Sequence, residues 1–148
     1  MMESDKVEIL LVEDNPNDVE LTLHALSKSH LTNKIHVVRD GEEALDFFFG
    51  NPQNDPNRSI PGPKVVLLDL KLPKVDGMEV LRRLKNDPAT KSIPVVVLTS
   101  SNEDKDIQKT YTLGVNSYIV KPVDFAKFVE AMRTLGMYWL MLNRPLVD

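Results

Sequence analysis

The sequence predicts an α/β fold of the doubly wound class, with five parallel strands in the flavodoxin-like order 2-1-3-4-5 and helices on both faces of the sheet. Three observations support this fold. Five short, nearly continuous apolar runs are typical of strands covered on both faces. Segments with the helical period separate these runs. Residues that favour turns or helix caps, mainly Asn, Asp, Gly and Pro, mark most of the boundaries.

The first two strand–helix pairs come before the longest interruption of the pattern. The first strand is Val7–Val12, and Asn15 followed by Pro16 is typical of a helix start, so a helix is expected from there to about Ser29. The second pair is predicted at Ile35–Val38 and Gly41–Phe49. Residues Gly50–Pro63 hold four of the ten prolines and are predicted to form a long loop.

The remaining three pairs follow that loop. Asn102 is the expected cap of the fourth helix, Gly114 its expected end, and Asp124 the expected cap of the fifth. The predicted strands are Val65–Leu68, Pro94–Leu98 and Ser117–Val120, and the predicted helices are Gly77–Asn86, Glu103–Leu113 and a last one reaching about Leu142.

Length and composition limit the function. The 148 residues suit a single domain, 1–148, with a core over about 6–135 and a C-terminal helical extension over about 136–148. The chain has no cysteine, which excludes disulfides and thiolate chemistry. A net charge of −4 argues against nonspecific nucleic-acid or anionic-membrane binding. Since no apolar run approaches the ~18 residues of a membrane span, we expect a cytoplasmic protein.

Polar side chains follow four of the five strands. They are the acidic pair Glu13-Asp14, then Asp69, Thr99 and Lys121. Ligands of open α/β sheets bind beyond the carboxyl ends of the strands. Each residue alone has an ordinary explanation as a cap, a turn or a surface group. Three carboxylates in one crevice, however, repel one another unless a cation binds them, and a set of oxygen ligands indicates Mg²⁺ (or Mn²⁺).

This constellation is suited to phosphoryl transfer. An Asp carboxylate can attack phosphorus and form an acyl phosphate, and the transition state then needs alignment and charge compensation. Asp69 would be the nucleophile. The Lys121 ammonium and the Thr99 hydroxyl could each contact one equatorial oxygen, and a cation held by Glu13, Asp14 and Asp69 could contact the third.

The sequence resembles the receiver domain of two-component response regulators over roughly residues 6–135. The motifs that carry the resemblance are Leu-Val-Glu-Asp-Asn at 11–15, Leu-Leu-Asp-Leu-Lys-Leu-Pro at 67–73, Asp-Gly at 76–77, Val-Leu-Thr-Ser at 97–100 and Tyr-Ile-Val-Lys-Pro at 118–122. The long loop and the tail around Tyr138, Trp139 and Leu140 are similar to those of the small single-domain regulators paired with cyanobacterial phytochromes.

The resemblance implies a function and further site residues. Asp69 would be phosphorylated by a histidine kinase or phosphotransfer protein, and the backbone carbonyl of Lys71 would complete the metal ligands. Thr99 and Tyr118 match the pair that rearranges on phosphorylation, and the bond between Lys121 and Pro122 matches one that is cis in the family. The protein would be a phosphoacceptor that assists its own phosphorylation and dephosphorylation rather than an enzyme.

Output is expected to use the surface of this domain. Large apolar residues recur at helical spacing along the last helix, which predicts that Phe125 to Leu135 pack on the sheet. Beyond Leu135 the residues are apolar around most of the helix, so a second copy of the chain is the expected cover of Tyr138, Trp139 and Leu140. The fourth helix has Ile107, Tyr111 and Leu113 as its expected apolar anchors and is predicted to shift with phosphorylation.

Other functions fit the residues less well. A phosphatase of the haloacid dehalogenase type would carry an acid where Lys71 stands. A flavin-binding electron carrier would not place Glu13 and Asp14 where a phosphate must bind, and a nucleotide-binding P-loop is absent. The three histidines, His24, His30 and His36, join no recognisable site. The remaining alternative is a receiver-fold scaffold that works without phosphorylation.

Overall fold

The computed structural model describes residues 7–28, 34–50, 62–121, 124–136 and 138–139. Its five strands are β1 Ile9–Val12, β2 Ile35–Val38, β3 Val65–Leu68, β4 Val95–Thr99 and β5 Ser117–Val120. Its five regular helices are α1 Pro16–Lys28, α2 Gly41–Phe49, α3 Gly77–Asn86, α4 Asp104–Leu113 and α5 Phe125–Gly136. Every strand and helix predicted from the sequence is present among these residues.

The sheet has the order β2-β1-β3-β4-β5, and all four neighbouring pairs are parallel. This confirms the predicted doubly wound, flavodoxin-like topology. In the central pairing Val12 of β1 lies opposite Leu68 of β3, and at the other edge Thr99 of β4 lies opposite Val120 of β5. The carboxyl ends of these four strands therefore meet at one edge of the sheet.

Alternate strand residues build two separate apolar layers. In β1, Leu10 and Val12 point into the layer that is covered by α2 and α3, whereas Ile9 and Leu11 point into the layer covered by α1 and α5. All four are at most 2% exposed. A strand buried on both faces needs apolar residues at every position, which explains the continuous runs in the sequence.

Three details of the helices correct the sequence-based expectations. The N-cap of α4 is Glu103, which makes no side-chain capping bond, rather than Asn102. Tyr111, an expected anchor of α4, is 51% exposed, and the buried residue of that helix is Thr110. Phe125 does not pack into the sheet. It is exposed at the start of α5, and its ring stacks on that of His24 in α1.

Several expectations fall on residues outside the described ranges. They include positions 51–61 of the long loop, His30, Pro122 with its predicted cis bond, Leu140, and the continuation of the last helix to Leu142. Gly114 does end α4, with the left-handed φ of 106° that glycine tolerates best. In the part of the chain that the structure describes, no helix is both long enough and apolar enough to cross a membrane.

Candidate phosphoacceptor and cation site

The predicted site residues converge at the carboxyl edge of the sheet. Glu13 follows β1, Asp69 follows β3, Thr99 is the last residue of β4, and Lys121 follows β5. Backbone hydrogen bonds fix these ends to one another. Asp69 N–H donates to the Val12 carbonyl over 3.0 Å, and Lys121 N–H donates to the Thr99 carbonyl over 2.6 Å.

Asn15 organises the turn between β1 and α1. Its side-chain oxygen accepts hydrogen bonds from the backbone N–H groups of Asn17 and Asp18, at 2.9 and 3.2 Å, and so caps the helix. Its own backbone N–H donates to the Glu13 carboxylate at 3.2 Å. The cap therefore begins α1 and orients Glu13 in the same turn.

The loop after β3 is shaped around Asp69. The side chain of Asp69 accepts a hydrogen bond from Lys71 N–H at 3.3 Å, and the residue is only 8% exposed. Gly77 begins α3 directly against this loop. A Cβ at Gly77 would lie 2.2 Å from the Asp69 carbonyl oxygen, so this close approach requires glycine. The glycine of the Asp-Gly pair at 76–77 thus has a steric purpose at the site.

Three acidic residues form one cluster of oxygens. Glu13, Asp14 and Asp69 each offer a carboxylate oxygen, and these oxygens lie within 4.8 Å of one another. Glu13 and Asp69 are buried and Asp14 is exposed. Burial raises the pKa of Glu13 to about 7, and the nearby charge of Asp69 adds to the rise, although Lys121 opposes it. Such crowded, oxygen-only groups fit a hard divalent cation.

The Lys121 ammonium lies beside this cluster. Its Nζ is 2.8 Å from a Glu13 oxygen, 2.9 Å from an Asp18 oxygen and 3.8 Å from Asp69 Oδ2. Burial by itself lowers the pKa of Lys121, but its carboxylate partners outweigh burial and the net effect is a raised pKa. The ammonium is therefore a fixed positive charge next to the Asp69 carboxylate.

Asp18 is a member of the site that sequence reasoning missed. It lies in the first turn of α1, where an acid is ordinarily explained by its favourable interaction with the helix dipole. Its contact with Lys121 joins positions 103 residues apart, so no local pattern could reveal it. Its place at the start of the helix that follows the Glu13-Asp14 pair puts it near the site but does not identify Lys121 as its partner.

The predicted switch residues, Thr99 and Tyr118, are connected through Ser101. Thr99 is fully buried, and its hydroxyl oxygen accepts a hydrogen bond from Ser101 N–H at 3.4 Å. The Tyr118 hydroxyl donates to the Ser101 carbonyl at 2.8 Å. Ser101 Oγ in turn donates to Asp106 of α4 at 2.6 Å. A displacement of Thr99 would therefore change the contacts of Ser101 with Tyr118 and with the first turn of α4.

Tyr138 and Trp139 follow the end of α5. Tyr138 is 48% exposed, and its ring meets that of Trp139 edge to face with centroids 4.7 Å apart. Trp139 is partly buried and packs against the apolar layer beneath α1 and α5. It borders a small apolar cleft with Leu26, Met132 and Leu135. Of the two described residues in the predicted dimer surface, Tyr138 is thus the more accessible.

The arrangement provides the parts that phosphoryl transfer to a carboxylate requires. The buried carboxylate of Asp69 lies near both an ammonium, that of Lys121, and two further acids, Glu13 and Asp14. The buried Thr99 hydroxyl closes the same edge of the sheet. Positioning and charge compensation supply most of the catalysis in such reactions. Acids that could share a cation with Asp69 complete the set.

Comparison with known proteins assigns the family. The profile of the response regulator receiver domain matches residues 9–133. A curated relative, the probable methanogenesis regulatory protein FilR2 of Methanothrix harundinacea, is 43% identical over 136 residues, which are 92% of this chain and 85% of that protein.

Solved structures of similar proteins agree with this assignment. The phosphorylated cyanobacterial phytochrome response regulator RcpA is 37% identical with a TM-score of 0.82, covering 96% of this chain and 99% of its own. The Mn²⁺-bound form of response regulator Rcp1, from Synechocystis, is 35% identical with a TM-score of 0.82, covering 95% and 99%. The bacteriophytochrome response regulator AtBRR is 52% identical with a TM-score of 0.73, also covering 95% and 99%.

Proposed function

Because the chain belongs to the response regulator receiver domain family, we propose that it accepts a phosphoryl group on the Asp69 carboxylate from a histidine kinase or phosphotransfer protein. The observation that carries this proposal is the position of Asp69, which is 8% exposed, 3.8 Å from the Lys121 ammonium and within one cluster with Glu13 and Asp14. A carboxylate so enclosed by opposite and like charges is suited to nucleophilic attack on phosphorus.

In the proposed reaction an oxygen of Asp69 forms a bond to phosphorus while the bond from phosphorus to the donor histidine nitrogen breaks. The nitrogen keeps the bonding electrons, and the donor leaves as a neutral imidazole because its other ring nitrogen carries a proton throughout. Lys121 offsets charge on the transferred oxygens, and Thr99 donates a hydrogen bond to one of them. Thr99 is the last residue of β4 and so lies at the same carboxyl edge of the sheet as Asp69.

We propose that Glu13, Asp14, Asp69 and the backbone carbonyl of Lys71 hold Mg²⁺ or Mn²⁺. The donors are all oxygens, which is the preference of both ions. The carboxylate oxygens lie within 4.8 Å of one another, and Lys71 N–H already contacts Asp69, so its backbone lies beside the site. A bound divalent cation supplies compensation for the negative charge that develops on the phosphoryl oxygens.

Signalling would follow from the chain of contacts at Ser101. We propose that Thr99 moves toward the phosphoryl group and that Tyr118 and α4 respond. The output is a changed surface, or dimerisation through the C-terminal helix region that includes Tyr138, Trp139 and Leu140. A phytochrome-type histidine kinase in the cytoplasm is the proposed donor, since RcpA and AtBRR carry phytochrome and bacteriophytochrome in their names.

The test of the donor is phosphotransfer from an autophosphorylated phytochrome-type histidine kinase labelled with ³²P. We expect label to move to the wild-type chain within minutes and to require Mg²⁺. Asp69→Asn should receive none, whereas Asp76→Asn, a matched change in the following loop, should receive label normally. Binding of the kinase without transfer would contradict the proposal and favour a scaffold that works without phosphorylation.

A further inference from the structure

We propose that Asp18 is a positioning residue that aims the Lys121 ammonium at the phosphoryl group carried by Asp69. The proposal deepens the function above and rests on it. Asp18 is the acid of the site that no motif identified, and its carboxylate lies 2.9 Å from Lys121 Nζ.

The geometry around Lys121 assigns this role. An ammonium has three N–H donors. Two are used by Glu13 and Asp18, at 2.8 and 2.9 Å. Asp69 Oδ2 lies 3.8 Å from the same nitrogen, which is too long for a hydrogen bond, so that carboxylate does not take up the third N–H. A phosphoryl group on Asp69 would extend oxygens outward from that carboxylate and bring one within reach of the third N–H.

Asp18 differs from Glu13 because it does not belong to the group of acids that could hold a cation. The acids whose oxygens converge on a possible cation position are Glu13, Asp14 and Asp69, and Asp18 stands apart from that group. A cation shared by those three acids would compete with Lys121 for the Glu13 oxygens. Asp18 would then be the carboxylate that still holds Lys121, and it would keep the flexible lysine stem directed toward Asp69.

The backbone of Asp18 is fixed well enough to serve as an anchor. Its N–H is held by the Asn15 cap at 3.2 Å, and its carbonyl accepts the Thr22 hydroxyl at 2.8 Å inside α1. A residue on a rigid helix restricts a long side chain more effectively than one on a loop. A second consequence of this position is a favourable interaction with the helix dipole, which any first-turn acid would share.

The experiment measures the phosphorylation rate with acetyl phosphate and saturating Mg²⁺, followed by intact mass. Asp18→Asn is expected to slow the reaction about fivefold, the upper range for a part-exposed ion pair. Asp18→Glu should recover most of the rate. Glu20→Gln, which removes an exposed charge from the same helix, should stay within about twofold of wild type.

A double-mutant cycle separates positioning from a structural role. In a Lys121→Met background, Asp18→Asn should not slow the reaction further, because its effect acts through the lysine. The same fold loss in both backgrounds, or a rate in Asp18→Asn equal to or above that of wild type, would overturn the inference. So would a loss of Mg²⁺ affinity as large as the loss of rate, since Asp18 would then belong to the cation site. No phosphorylation of the wild type would contradict the proposed function itself, and with it this inference.

Discussion

At the scale of single residues, the site brings charged groups together where little water reaches them. Glu13 is 3% exposed and hydrogen bonds to Lys121, yet burial still raises its pKa to about 7. At neutral pH a cation bound at the proposed site would therefore compete with a proton for this carboxylate. Buried acids of this kind reduce stability when ionised, and sites that bind metal or transfer groups often retain them.

The pKa of Glu13 predicts how stability depends on pH without a cation. The unfolded value is near 4.5 and the folded value about 7, so the folded state binds this proton more tightly. The resulting stabilisation is complete below the unfolded pKa and is lost as pH rises through the folded pKa. Relative to Glu13→Gln, the wild-type free energy of unfolding should fall by up to about 3 kcal/mol between about pH 5 and about pH 8.

Urea unfolding in the presence of EDTA measures this difference. Glu20→Gln serves as the control because Glu20 is exposed. The difference in free energy of unfolding between this variant and the wild type should stay constant over the same pH range. Parallel pH profiles for the wild type and Glu13→Gln would mean that Glu13 titrates alike in the folded and unfolded states. The claim that burial in the acidic cluster raises the pKa of Glu13 would then be wrong.

At the scale of secondary-structure elements, a single residue organises each of three loops at the carboxyl edge of the sheet. Asn15 caps α1 and orients Glu13, Gly77 allows α3 to start against Asp69, and Ser101 ties the end of β4 to α4. α4 buries only Thr110 among its residues, whereas α3 buries four. The helix attached to the predicted switch residues thus has few buried residues, which suits a part proposed to move.

The end of the last helix predicts self-association. Trp139 packs against the apolar layer of its own chain, and Tyr138 is left 48% exposed beside it. We expect sedimentation velocity to detect a wild-type dimer that Tyr138→Ser weakens about tenfold, because exposed aromatic rings dominate small interfaces. Tyr111→Ser, which alters a 51% exposed tyrosine on α4, is the control. A wild-type monomer at all concentrations, or equal dimerisation of wild type and Tyr138→Ser, would contradict this assignment.

At the scale of the whole molecule, the sequence predicted the regular pattern of strands and helices but missed individual caps and side-chain contacts. The strand order follows from strands buried on both faces, and the convergence of the candidate site residues follows from their positions just after those strands. Other features could not be predicted in this way. They are the α4 cap at Glu103, the exposure of Tyr111 and Phe125, and the contact between Asp18 and Lys121. Each depends on how two elements pack together, which periodicity along one chain does not report.

The central claim is that Asp69 accepts a phosphoryl group with the help of a divalent cation. The most direct measurement is the intact mass of the chain after incubation with acetyl phosphate, with Mg²⁺ and with EDTA, for wild type and Asp69→Asn. The account predicts the gain of one phosphoryl group by the wild type with Mg²⁺, and no gain with EDTA or in Asp69→Asn. A wild type whose mass never changes, or an Asp69→Asn variant that gains the group equally, would contradict it.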